Sequence, residues 1–135
     1  MAGAPIEYSE TVLEHFRMPR NVGAFPPDTP DVLEGQAGSR RQGREISLAL
    51  RLEVDGRVAE CRYRVYGCPV TIALCSILSE RLRGHTLQEC RQMGGLALAE
   101  ELKLPPAKRA AALLLEDALG AALARYNMES RLQTA

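Results

Sequence analysis

The spacing of hydrophobic and polar residues changes several times along the chain, and each change predicts a new element. In residues 8–17, YSETVLEHFR, Tyr8, Val12 and Phe16 recur at four-residue intervals, which predicts a short amphipathic helix. Pro19, Gly23, Pro26 and Pro27 then end it and predict a loop through Asp31. In residues 45–54, EISLALRLEV, Ile46, Leu48, Leu50, Leu52 and Val54 alternate with Ser47, Ala49, Arg51 and Glu53. Period two with one apolar side predicts a strand with one buried face. Asp55-Gly56 predicts a two-residue hairpin turn. The return strand, RVAECRYRVY, sets Ala59, Cys61, Tyr63 and Val65 against Glu60, Arg62 and Arg64. DVLEGQAGS, residues 31–39, supplies a third, weaker strand.

After Tyr66 the period becomes helical. Val70, Leu74, Ile77, Leu78 and Leu82 share a stripe, Pro69 sits at the first helical position, and Gly84 closes the segment. Thr86 and Glu89 form a capping box for a short helix, TLQECRQM, which Gly94-Gly95 breaks. LALAEELK predicts another helix. The double proline follows, and it pushes Leu104 and Pro105 into extended conformations. A last helix starts near Pro106 and runs to about Tyr126, with Leu115, Leu119, Ala122 and Tyr126 on its packed face. The order predicts a single α+β domain over residues 1–135: a small antiparallel sheet, three-stranded, packed by several helices on one face.

Composition narrows the function. A chain of 135 residues can bury roughly 70% of its unfolded surface and needs no disulfide or metal merely to fold. Seventeen basic and seventeen acidic residues cancel, and 4% aromatics leave few stacking platforms, so nucleic acid is not an expected partner. No apolar run approaches the length of a membrane span. MAGAPIEYSE has neither a basic nor an apolar signal region, so the expected location is the cytoplasm with reduced thiols.

Cys68 carries the main chemical promise. It follows a strand, precedes a helix and lies between Gly67 and Pro69, where unpaired N–H groups and the helix dipole favour thiolate. Cys75 lies two turns further on, roughly 10 Å away, so it cannot share a metal with Cys68. Its apolar neighbours make it a core residue, as are Cys61 and Cys90. His15 and His85 are isolated and expected at the surface. No zinc spacing, phosphate loop or hydrolase elbow is present, so no catalytic residue is assigned and the chain is not expected to be an enzyme. Arg40, Arg41 and Arg44 are expected on a solvated loop before a strand.

Three separated segments carry a family resemblance: YSETVLEHFRMPRNVG (8–23), VYGCPVTIALCSILSERLRG (65–84) and AEELKLPPAKRAAALLLEDAL (99–119). In this order they resemble IscU/NifU-type iron–sulfur cluster assembly scaffolds across about Tyr8 to Tyr126. The resemblance implies a site of three cysteines, an aspartate and a histidine, for a 2Fe-2S cluster or for iron or zinc. Carried over, the Cys-Gly-Asp triplet becomes Gln42-Gly43-Arg44, the second cysteine is Cys68, and the histidine and third cysteine become Ala110 and Ala111. One thiolate falls short of the roughly four ligands such sites use, and Arg44 adds a repelling charge. No cofactor is therefore firmly expected. The resemblance also implies that Leu104, Pro105, Pro106, Ala107 and Lys108 form a segment recognised by a DnaK-type chaperone, and that a cysteine desulfurase is a partner. The expectation is a divergent scaffold in iron–sulfur biogenesis, with Cys68 as the retained ligand position and candidate sulfur acceptor. The alternative is a regulatory pseudo-scaffold that binds the desulfurase or chaperone. The oligomeric state stays open.

Overall fold

A computed structural model describes the backbone of residues 8–134 and the side chains of residues 8–126. The first helix, α1 (Glu10–Arg17), begins at Ser9, whose hydroxyl accepts from the Val12 N–H at 3.3 Å. Three strands follow: β1 (Val32–Ser39), β2 (Arg44–Leu52) and β3 (Val58–Tyr66), antiparallel in the order β1-β2-β3. The weaker third strand of the sequence pattern is thus a full eight-residue edge strand. Rows such as Leu33–Leu50–Cys61 and Gly35–Leu48–Tyr63 line the core face. Rows such as Glu34–Ala49–Arg62 and Gln36–Ser47–Arg64 line the opposite face.

The hairpin departs from the expected form. Gly56 N–H donates to Glu53 O, and Glu53 N–H to Arg57 O, so the turn spans Glu53 to Gly56. Gly56 takes a left-handed φ of 88° after it. Val54 therefore sits at the tip, fully exposed, rather than on the buried face.

Helix α2 (Pro69–Arg81) has Cys68 as its N-cap and Pro69 in its first turn. Its buried residues lie on most of its circumference because α1, β3 and the last helix all pack on it. The capping box at Thr86 and Glu89 is formed, but α3 (Leu87–Cys90) makes only one turn before the chain bends toward Gly94. Helix α4 (Gly95–Glu101) is capped by Leu102, and Lys103 after it takes a left-handed φ of 53°. A 3-10 turn, Pro106–Lys108, leads into α5 (Arg109–Thr134), so the last helix proper begins at Arg109. Leu115, Leu119 and Ala122 are buried as expected. Tyr126 is not: it is 42% exposed.

Helix α5 docks on β1 by direct backbone approach. A Cβ on Gly35 would lie 2.3 Å from both Ala118 O and Ala122 N, so only glycine fits there. Among the described residues, no helix is long and apolar enough to cross a membrane.

Candidate functional site

The four cysteines divide as the sequence suggests. Cys61, Cys75 and Cys90 are buried and Cys68 is exposed. Burial pushes the Cys61 thiol up to about 12, Cys90 up to about 11, and Cys75 well above its ordinary value, so all three are inert thiols. Cys68 moves the other way. Partial burial raises its pKa, but the Thr71 hydroxyl, the Thr71 and Val70 backbone N–H groups and the Lys108 charge together hold it below the ordinary thiol value. Its Sγ lies 3.3 Å from Thr71 Oγ1. The Thr71 hydroxyl is the largest of the lowering effects, and the first-turn N–H groups of α2 add to it.

One cation acts on this thiol. Lys108, at the end of the Pro106–Lys108 turn, acts on it electrostatically. Arg44 opens β2 and runs beside Gly67, its Cβ 3.6 Å from where a Gly67 Cβ would be. Gln42 lies two residues before Arg44, exposed, in a 3-10 turn over Arg40–Gln42 that Ser39 caps through the Gln42 N–H at 3.2 Å. The expected solvated loop of arginines is thus a structured turn, with the Arg40 guanidinium 5.4 Å from the Tyr66 ring centroid. Ala110 and Ala111 occupy the first turn of α5, Ala110 exposed and Ala111 buried. Among the described residues, no three His, Cys, Asp or Glu side chains come together as a group able to hold a metal ion. Of the five positions the resemblance implies, Cys68 carries a thiol, and Gln42, Arg44, Ala110 and Ala111 carry neither thiol, imidazole nor carboxylate.

The proline segment is only partly presented. Leu104 is 8% exposed and belongs to the core. Pro105 is half-buried with an extended backbone, φ −60° and ψ 148°, while Pro106 and Ala107 are exposed.

His15 requires a correction. It is 4% exposed, not a surface residue. Its Nδ1 is 2.6 Å from Ser76 Oγ, and Arg20 Nη1 is 2.9 Å from its Nε2. Ser76 Oγ also accepts the Arg20 backbone N–H at 2.9 Å. Arg20 thus donates at Nε2, which leaves the ring proton on Nδ1, directed at Ser76. The sequence offers no signal for this cluster, because Ser76 lies 61 residues from His15 and meets the His15–Arg20 segment only in the fold. His85 is partly exposed, 3.5 Å from Glu89, as a surface histidine should be.

The family model described as the NifU-like N-terminal domain matches residues 7–133. The chain belongs to that family. It is 37% identical over 119 residues to the iron–sulfur cluster assembly scaffold protein IscU of Escherichia coli strain K12, covering 88% of this chain and 93% of that one. It is 36% identical over 119 residues to iron–sulfur cluster assembly protein 2 of Arabidopsis thaliana, covering 88% of this chain and 73% of the relative. The fold matches the N-terminal part of a nitrogen-fixing NifU-like protein from Brucella abortus, with a TM-score of 0.67 at 20% identity over 89% of this chain and 94% of that one. The three-stranded antiparallel sheet with helices is therefore the NifU-like fold.

Proposed function

We propose that this NifU-like domain works in iron–sulfur cluster assembly as a sulfur-accepting scaffold, and that it does not hold a 2Fe-2S cluster by itself through the family's implied ligand set. The observation that carries the reading is the contrast among the thiols: Cys68 alone is exposed and biased toward thiolate. In the transfer step the Cys68 thiolate attacks the outer sulfur of a donor persulfide, R–S–SH. The donor S–S bond breaks, R–S⁻ leaves, and Cys68 keeps the sulfur as Cys68–S–SH. The donor is a cysteine desulfurase. Lys108 favours the anionic persulfide and disfavours a bare metal cation at the same place. Iron and cluster are cargo, completed only with donors from a second chain or partner.

A second reading is a regulatory pseudo-scaffold that binds the desulfurase or a DnaK-type chaperone. It is favoured by the exposure of Pro106 and Ala107 beside the Cys68 corner. An extended, proline-stiffened segment loses little entropy on binding.

One experiment separates them. The purified domain is incubated with a cysteine desulfurase and cysteine, and intact mass is read before and after reduction. The first reading expects a reducible gain of one sulfur, absent in Cys68→Ala. Binding to the desulfurase without sulfur transfer supports the second. Anaerobic reconstitution with iron and sulfide tests the other half: a stable visible spectrum near one cluster per monomer, lost in Cys68→Ala, overturns it.

A further inference from the structure

A second basic site lies away from Cys68, on the sheet face opposite the core. A concavity of ≈ 420 Å³ opens there, floored by Ser47 and Ala49 of β2 and walled by Arg62 and Arg64 of β3, with Arg125 of α5 and Glu34 of β1 at its other side. The register explains the shape. Ala49 and Ser47 are small residues in the middle strand, flanked by the long side chains of Arg62 and Arg64 in the paired positions. A short central row between tall edges makes a trench.

Its charge is one-sided. Three arginines face one carboxylate, and they differ in how they are held. Arg62 is immobilised: Nε donates to Glu60 at 2.6 Å, Nη1 donates to Ala24 O at 3.0 Å, and its guanidinium lies 4.5 Å from the Phe25 ring centroid. These contacts leave its Nη2 with no partner among the described residues. The Arg64 and Arg125 side chains also have no hydrogen-bond or ion-pair partner among the described residues. Glu60 neutralises part of Arg62, and Glu34, with no ion-pair partner among the described residues, limits the total charge the trench can attract.

We propose that this trench is a binding site for a small organic di- or tricarboxylate. Planar guanidinium forks match carboxylates two bonds at a time. Arg62 and Arg64 stand two residues apart on one strand, so their backbones are about 7 Å apart and can serve two separate carboxylates of one ligand. The volume suits a ligand of that size and exceeds what a single inorganic oxyanion would fill. Ser47, also without a described partner, adds a hydroxyl at the floor. Preformed Arg62 lowers the ordering cost of binding.

The test uses the whole chain with citrate and succinate as probes, by calorimetric titration and by amide shifts in NMR spectra. Saturable binding of one citrate is expected, with shifts at Ser47, Ala49 and Arg64. Arg64→Ala/Arg125→Ala weakens it roughly tenfold. Glu34→Gln tightens it, a gain that misfolding cannot mimic. Cys68→Ala leaves it unchanged, which separates this site from the sulfur chemistry. No saturable binding, shifts clustered instead around Cys68 and Lys108, or an equal response to sulfate at matched ionic strength overturns the proposal.

Discussion

His15 Nδ1 sits 2.6 Å from the hydroxyl oxygen of Ser76, a contact across 61 residues of sequence that fastens α1 to α2. Burial first, and then the Arg20 charge, hold the His15 pKa below its ordinary 6.5, against smaller opposing effects of Glu80 and Glu14; Arg81 lowers it slightly. A lowered histidine value means that the unfolded chain takes up a proton before the folded one does. Stability from this group is therefore full above about pH 6.5 and is lost as pH falls toward the folded value. The slope from one such site reaches at most about 1.4 kcal/mol per pH unit. Urea midpoints measured from about pH 7.5 to about pH 5.5 should fall in the wild type and stay flatter in His15→Gln. Arg20 holds the neighbouring Glu14 carboxyl below its ordinary value, away from this window. Parallel slopes in the two proteins would sink the assignment.

Cys68 should react with a neutral alkylating probe near pH 7 much faster than any other cysteine, since the other three are buried and held protonated. Thr71→Val and Lys108→Met each remove a group that lowers the Cys68 pKa. Both should shift its rate–pH curve to higher pH and slow the reaction several-fold at neutral pH. A curve that does not move in either variant would show that the helix N–H groups act alone.

Two glycines should respond in opposite directions. Gly35→Ala drives a methyl into the α5 backbone at Ala118 and Ala122, which costs about 1–3 kcal/mol or more. Gly120 lies on the exposed side of the same helix with nothing within 4 Å of an added Cβ. Gly120→Ala should stabilise by about 0.5–1 kcal/mol. Chemical denaturation of both variants checks the pair.

Restoring the implied ligands tests whether their loss decides the cargo. The variant Gln42→Cys, Arg44→Asp, Ala110→His, Ala111→Cys should acquire visible cluster absorption under anaerobic reconstitution, while the parent stays colourless. Ala111 is buried, so its thiol must enter packed surroundings; the Ala111→Cys single variant reports any cost in stability. Equal spectra from parent and variant would contradict the proposal.

Much of the frame was legible because it rests on local rules. Alternation along β2 and β3, Pro69 at the start of α2 and the Thr86–Glu89 box each speak within a few residues. The strand β1 spoke weakly because Gly35, Ala37 and Gly38 carry little apolar signal, although Gly35 is what lets α5 approach. His15 was misplaced because its partners Ser76 and Arg20 meet it only after folding. Val54 continues the strand's apolar pattern into the hairpin tip, and Tyr126 is exposed although it keeps the helical spacing of Leu115, Leu119 and Ala122. Cys68 is legible from its corner position, but the cation that acts on it, Lys108, comes from the proline turn. The trench on the open sheet face depends on strand register, which spacing alone does not fix.

Helix α5 is gripped from two directions. Gly35 admits its backbone at Ala118 and Ala122, and Gly95 admits it at Ala112, where a Cβ would come within 2.0 Å of the carbonyl oxygen. Such a helix behaves like a splined shaft: it can neither roll about its axis nor slide. Positions 110 and 111 therefore keep one fixed azimuth whatever residues they carry. The seat of the helix is thus set at Gly35 and Gly95, outside the first-turn positions 110 and 111.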